Sequence, residues 1–98
     1  MMQLSFTAPL WEYGGKATWY FVTLPPESAE AVRAYALSRP RAGWGSVPVE
    51  ATIADASWRT SIFPDKALNS YLLPIKAAIR KRTQIGCGDT VTVTLSCL

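Results

Sequence analysis

Gly43 to Pro64 reads GWGSVPVEATIADASWRTSIFP, and the way this stretch folds decides the architecture. Val49, Ala51 and Ile53 alternate with Glu50 and Thr52, and beyond a short link Trp58, Thr60 and Ile62 alternate with Arg59 and Ser61. Two period-two runs joined this closely predict a β-hairpin between tryptophans. With Asp55-Ala56 as the tip, Ile53 opposes Trp58, Ala51 opposes Thr60 and Val49 opposes Ile62 on one face. The other face carries Glu50, Thr52, Arg59 and Ser61, with Glu50 diagonal to Arg59. A slip of one residue would mix the two sets. An aromatic set against a β-branched residue, as in Trp58–Ile53, contributes roughly 0.2–1 kcal/mol over alanine. The tip is the weak part: such turns favour glycine where φ is positive, and Asp55-Ala56 supplies a Cβ instead.

Upstream, Leu4, Phe6, Ala8 and Leu10 alternate with Gln3, Ser5 and Thr7, the period of a half-buried strand. A hairpin tip at Gly14-Gly15 sets Leu10 against Trp19, Ala8 against Phe21 and Phe6 against Thr23, with Pro9 facing Tyr20. The outer face then carries Trp11, Tyr13, Tyr20 and Val22. Pro9 donates no ladder bond, which predicts an edge strand or a bend at that point. Pro25-Pro26-Glu27 opens a helix to about Ser38, with Ala29, Val32, Tyr35 and Ala36 as its apolar stripe and Arg39-Pro40 as its stop. Downstream come a polar connection from Asp65 to Ser70, an extended Tyr71-Leu72-Leu73-Pro74, and a second helix from Ile75 to about Thr83. A loop at Gly86-Cys87-Gly88-Asp89 leads into a last strand from Thr90 to Leu98. The order ββαββ(β)αβ predicts a mainly β, α+β fold: a small bent antiparallel sheet or barrel capped by two short helices, one domain over residues 1–98.

A chain of 98 residues buries about 65% of the surface its unfolded form exposes. Its 49% apolar content excludes disorder, and no apolar run reaches the roughly eighteen residues of a membrane span. Met1-Met2-Gln3 leads into the first strand with no basic-then-apolar leader, so a cytoplasmic location without membrane contact is the expectation. Cys97 continues the inward row Val91, Val93, Leu95, whereas Cys87 precedes the strand. An extended strand holds the two thiols on the order of 25 Å apart, beyond disulfide reach. A net charge of +3 permits an anionic partner without demanding one.

The sequence contains no histidine, which excludes Ser-His-Asp and Cys-His catalysis and any His-bearing zinc site. It has no phosphate-binding glycine loop, since Gly86-x-Gly88 is followed by Val91 where the motif needs glycine, and no GK[ST] occurs. No catalytic residue, metal or cofactor is assigned. Three constellations remain. Lys76 and Arg80 share one face of the second helix, next to Lys81 and Arg82. They suit a phosphate contact, or a solvated face whose cations complement the helix dipole. Glu50, Arg59 and Ser61 form either a pocket wall inside the barrel, with Arg59 as anion anchor, or a surface charge pair of little weight. Trp11, Tyr13 and Tyr20 make an aromatic patch that the chain's own helix, a second copy or a stacked ligand could cover.

Several of these tokens together resemble a bacterial domain-of-unknown-function family, number nineteen-oh-five. The resemblance is carried by Leu24-Pro25, Gly43-Trp44-Gly45 with Val47-Pro48-Val49, Trp58-Arg59-Thr60-Ser61, Tyr71-Leu72-Leu73-Pro74-Ile75-Lys76, Arg80, and Gly88-Asp89-x-Val91, within Phe6 to Leu95. It implies a small β-barrel with helical caps, related in fold to the double-split barrels of AbrB/MazE-like transcription factors. It implies no activity, so no catalytic residue is carried over. The reading that follows is a non-enzymatic binding or interaction module, with a homodimer or nucleic acid as partner classes. The alternatives are an AbrB-like nucleic-acid binder using the second helix, and a small anionic-ligand pocket or enzyme.

Overall fold

Thr90–Cys97 alternates threonine and serine with Val91, Val93, Leu95 and Cys97, and this strand lies at the centre of one side of the molecule. The structure is a computed structural model and describes residues 2–14, 19–39 and 45–98. In chain order the elements are β1 (Met2–Tyr13), β2 (Trp19–Thr23), α1 (Pro26–Leu37), β3 (Val47–Ile53), β4 (Ala56–Asp65), β5 (Ser70–Pro74), α2 (Ala77–Thr83) and β6 (Thr90–Cys97). The strands close into an antiparallel barrel in the order β1-β2-β5-β4-β3-β6. The mainly β architecture and the element order agree with the sequence reading.

Closure depends on two long strands that change partner partway. β1 pairs with β6 from Met2 to Pro9 and with β2 from Leu10 to Tyr13. β4 pairs with β3 through Ile62 and with β5 from Phe63 to Asp65. Pro9, expected at an edge or a bend, is the last β1 residue paired with β6 and stands opposite Thr90. The missing N–H therefore falls where the ladder ends, in a stretch of β1 that pairs with β6 alone, in keeping with the edge position expected. The following loop carries the ladder onward: Leu10 N–H donates to Asp89 O at 2.8 Å, and Gly88 N–H donates to Leu10 O at 2.8 Å.

Inside, Phe6, Ala8, Leu10, Val49, Ala51, Ile62, Leu73, Val93, Leu95 and Cys97 are all buried. Helix α1 covers the barrel with Ala29 and Val32 buried and Tyr35 and Ala36 half-buried, packing against β1 and β5. Helix α2 is shorter than expected, starting at Ala77; Ile75 and Lys76 precede it as extended backbone, and Ile75 and Ile79 are buried.

Both hairpin registers differ from the sequence reading. In the central hairpin Ile53 pairs with Ala56, Ala51 with Trp58, Val49 with Thr60 and Val47 with Ile62. The tip is Ala54-Asp55 rather than Asp55-Ala56. The offset is even, so Trp58 and Ile53 keep the inner face and Arg59 and Glu50 the outer one. Size is the reason: Trp58 stands opposite the small Ala51, and Ile53 opposite the small Ala56. In the first hairpin Val22, not Trp19, stands opposite Leu10, and Phe21 stands opposite Trp11. That offset is odd, so every β2 side chain changes face. Val22 enters the core and Phe21 joins Trp11 outside. The expected tip glycine Gly15 and the turn around Trp44 lie outside the described residues.

The strain expected at the central tip is present, one residue earlier. Ala54 has φ +54°. A left-handed conformation costs a non-glycine residue roughly 1–2 kcal/mol, partly offset by glycine's larger entropy loss on folding. Ala54→Gly is therefore expected to raise stability by about 0.5 kcal/mol, read as a higher urea midpoint at unchanged slope. A lower midpoint would show that the Ala54 methyl group makes a compensating contact.

Candidate functional site

Because β2 turns Phe21 outward, the outer face beside the first hairpin is aromatic. Trp11 Nε1–H donates to Thr23 Oγ1 at 2.8 Å, which fixes the indole against the sheet. The Trp11 and Phe21 rings lie 5.3 Å apart between centroids, and the Tyr13 and Phe21 rings meet edge-on at 6.4 Å. Trp19 lies parallel to Phe21, 6.2 Å away. Across the sheet, β4 contributes Phe63 opposite Leu72 of β5. Together they border a groove of about 580 Å³ that also includes Pro64, Asp65 and Lys66. Tyr13 is 62% exposed, Trp19 59% and Phe63 43%. Rings of this size at such exposure, side by side, are uncommon on a monomer surface.

Tyr20 does not belong to this patch. It points to the other side of β2, donating its hydroxyl to Glu12 Oε2 at 3.1 Å. The hydrogen bond to Glu12, then desolvation, holds the Tyr20 phenol above its ordinary pKa. The Arg80 guanidinium lies over the Tyr20 ring, 3.7 Å from its centroid, and Arg80 Nε–H reaches Ile75 O at 3.4 Å. Arg80 is thus stacked against the barrel.

Arg59, Lys76 and Arg80, far apart in sequence, line one groove of about 360 Å³ with Trp19, Tyr20 and Pro74. Glu50 and Ser61, expected to act with Arg59, stay outside that lining. Glu50 is directly opposite Arg59 rather than diagonal to it, and Ser61 is opposite Pro48. Arg59 is exposed on the outside of the barrel, not aimed into its interior. The ion pairs within 4 Å among the described residues are Arg33–Glu30 at 3.5 Å and Arg82–Asp55 at 3.8 Å, both solvent-exposed and of small weight. The outer face of β1, β6 and β3 is rich in hydroxyls: Ser5–Thr94, Thr7–Thr92 and Thr52–Ser57 join at 2.9, 3.2 and 2.8 Å. Among the described residues no three Cys, Asp or Glu side chains gather to hold a metal.

Sequence reasoning missed Trp19, Phe21 and Phe63 as surface residues. Their only signal was that β2 is apolar on both faces, so one row had to face outward. No curated protein matches the chain. The profile described as "Domain of unknown function (DUF1905)" matches residues 6–95, nearly the whole barrel, and the chain therefore belongs to the DUF1905 family.

Proposed function

We propose that the chain is a non-enzymatic binding module that works from the outside of its barrel, through the groove of Trp11, Tyr13, Trp19, Phe21 and Phe63. The observation that carries this is the exposure of Tyr13, Trp19 and Phe63 around half-buried Trp11 and Phe21, while the inward positions are filled by aliphatic and aromatic side chains. Burying such a surface on a partner gains roughly 25 cal/mol for each Å² removed from water, so leaving it open favours association. The chain offers no histidine as a general base, and Asp65 in the groove accepts the Ala67 N–H at 3.1 Å, which ties it to its own turn. A bacterial, cytoplasmic setting and a relation to AbrB/MazE-like barrels belong to the same reading. Cys87 and Cys97 are both free, which suits a reducing compartment.

The dye 1-anilinonaphthalene-8-sulfonate, an aromatic anion, is the test probe. The native protein should enhance and blue-shift its emission, and Tyr13→Ala with Phe63→Ala should remove most of that signal with little change in melting temperature. Equal signal from the variant, or none from the native protein, would end the reading.

A further inference from the structure

The aromatic groove does not stand alone. Trp19 and Pro74 border both it and the groove of Arg59, Lys76 and Arg80. At its other end Pro64, Asp65 and Lys66 also border a third depression of about 290 Å³, which contains Arg33. The three depressions adjoin through these shared residues across the outside of β2, β5 and β4, and are taken together as one trough. Its cations run from Arg59, Lys76 and Arg80, past Lys66, to Arg33, with exposed rings between. Arg33 is held in place by donating to Asn69 O at 3.0 Å.

We propose that this trough binds an unpaired polynucleotide strand, its bases stacked on Tyr13, Trp19 and Phe63 and its phosphates held by Arg59, Lys76, Lys66 and Arg33. The inference rests on the aromatic groove being the binding surface, and it names the occupant. Charge and shape argue for it together. A small ligand would need one cation beside one ring, whereas this surface repeats positive charge on both sides of a row of rings. Stacking needs bases free of a duplex, and sequence-tolerant single-strand sites combine these two elements. A peptide adding as an extra strand would find β2 and β5 already paired on both sides at Phe21, Val22 and Leu72 in the middle of the surface. The carboxylate within the trough, Asp65, is engaged by its own turn.

Fluorescence polarisation with labelled single-stranded oligonucleotides of about twelve nucleotides, DNA and RNA, tests the assignment across about 50–200 mM salt. Affinity should fall with salt by about 0.7 logarithmic units per phosphate contact, and a matched duplex should bind more weakly. Arg59→Gln with Lys76→Gln should flatten that slope by about 1.4. Trp19→Ala with Phe63→Ala should weaken binding about tenfold or more while leaving the slope in place. Thr92→Val, on the hydroxyl face, should change neither. If the sulfonate dye binds in the groove but no strand binds at low salt, the polynucleotide is overturned and the groove survives. Equal affinity for duplex and strand overturns the stacking. A mass in sedimentation that doubles with concentration, and returns to that of one chain in Phe63→Arg, assigns the trough to a second copy and overturns the proposal.

Discussion

Leu95→Ala is expected to destabilise the protein by about 2–5 kcal/mol, against the 5–15 kcal/mol that holds a typical domain together. Leu95 is fully buried on β6, and its neighbours are fixed on both sides: Leu4 of β1 opposite on one, Ala51 of β3 on the other. A helix can slide towards a vacancy, but a strand hydrogen-bonded on both edges cannot. The cavity should therefore persist, which places the cost in the upper part of the range. Each kcal/mol moves the melting temperature of a domain this size by about 4–8 °C, so the loss is easily read by calorimetry or urea titration. Leu37→Ala is the matched control, since Leu37 is 72% exposed at the end of α1 and should cost less than about 0.5 kcal/mol. Equal losses from both substitutions would mean that β6 is not the centre of the barrel.

The sequence carried most of this architecture because periodicity separates faces well. Val91, Val93 and Leu95 alternate with threonines, and Val49, Ala51 and Ile53 with polar residues, so each strand had one possible inner side. Pairing is a different matter. In the central hairpin the apolar row reads equally well with the tip at Ala54-Asp55 or Asp55-Ala56, and the choice rests on Trp58 fitting over Ala51 rather than beside Ile53. In β2 alternation gave no guide at all, since Trp19, Tyr20, Phe21 and Val22 are apolar throughout. A register there is set only by contacts from elsewhere: Trp11 to Thr23, Arg80 on Tyr20, and Leu73 opposite Val22. The site inherits the same limit. Lys76 and Arg80 read as a pair on one helix face, but Lys76 precedes α2 as extended backbone, and the meeting of both with Arg59 depends on β5 bringing α2 beside β4. Partner exchange within β1 and β4 was equally hidden, because Pro9 and Pro64 mark an interruption without saying what the strand pairs with next.

The two cysteines give the second large effect. Cys87 is exposed in the loop before β6, whereas Cys97 is fully buried, opposite Met2 of β1 and Val49 of β3. The chain end is tied down beyond it: Leu98 N–H donates to Pro48 O at 3.0 Å, and the Tyr35 hydroxyl reaches the Cys97 and Leu98 carbonyls at 3.4 Å. A disulfide reagent should therefore modify exposed Cys87 in a fast phase. Cys97 should react at least about a thousandfold more slowly, at a rate set by barrel opening. Cys87→Ser removes the fast phase and keeps the slow one. Burial raises the Cys97 thiol pKa, by desolvation of the thiolate. The folded chain then holds its proton where the unfolded chain has lost it, so this contribution is intact below about pH 8.5 and declines as pH rises towards the folded value. Cys97→Val should abolish that decline and the slow phase together. Two thiols reacting at one rate would place Cys97 outside the barrel and the last strand out of register with both its neighbours.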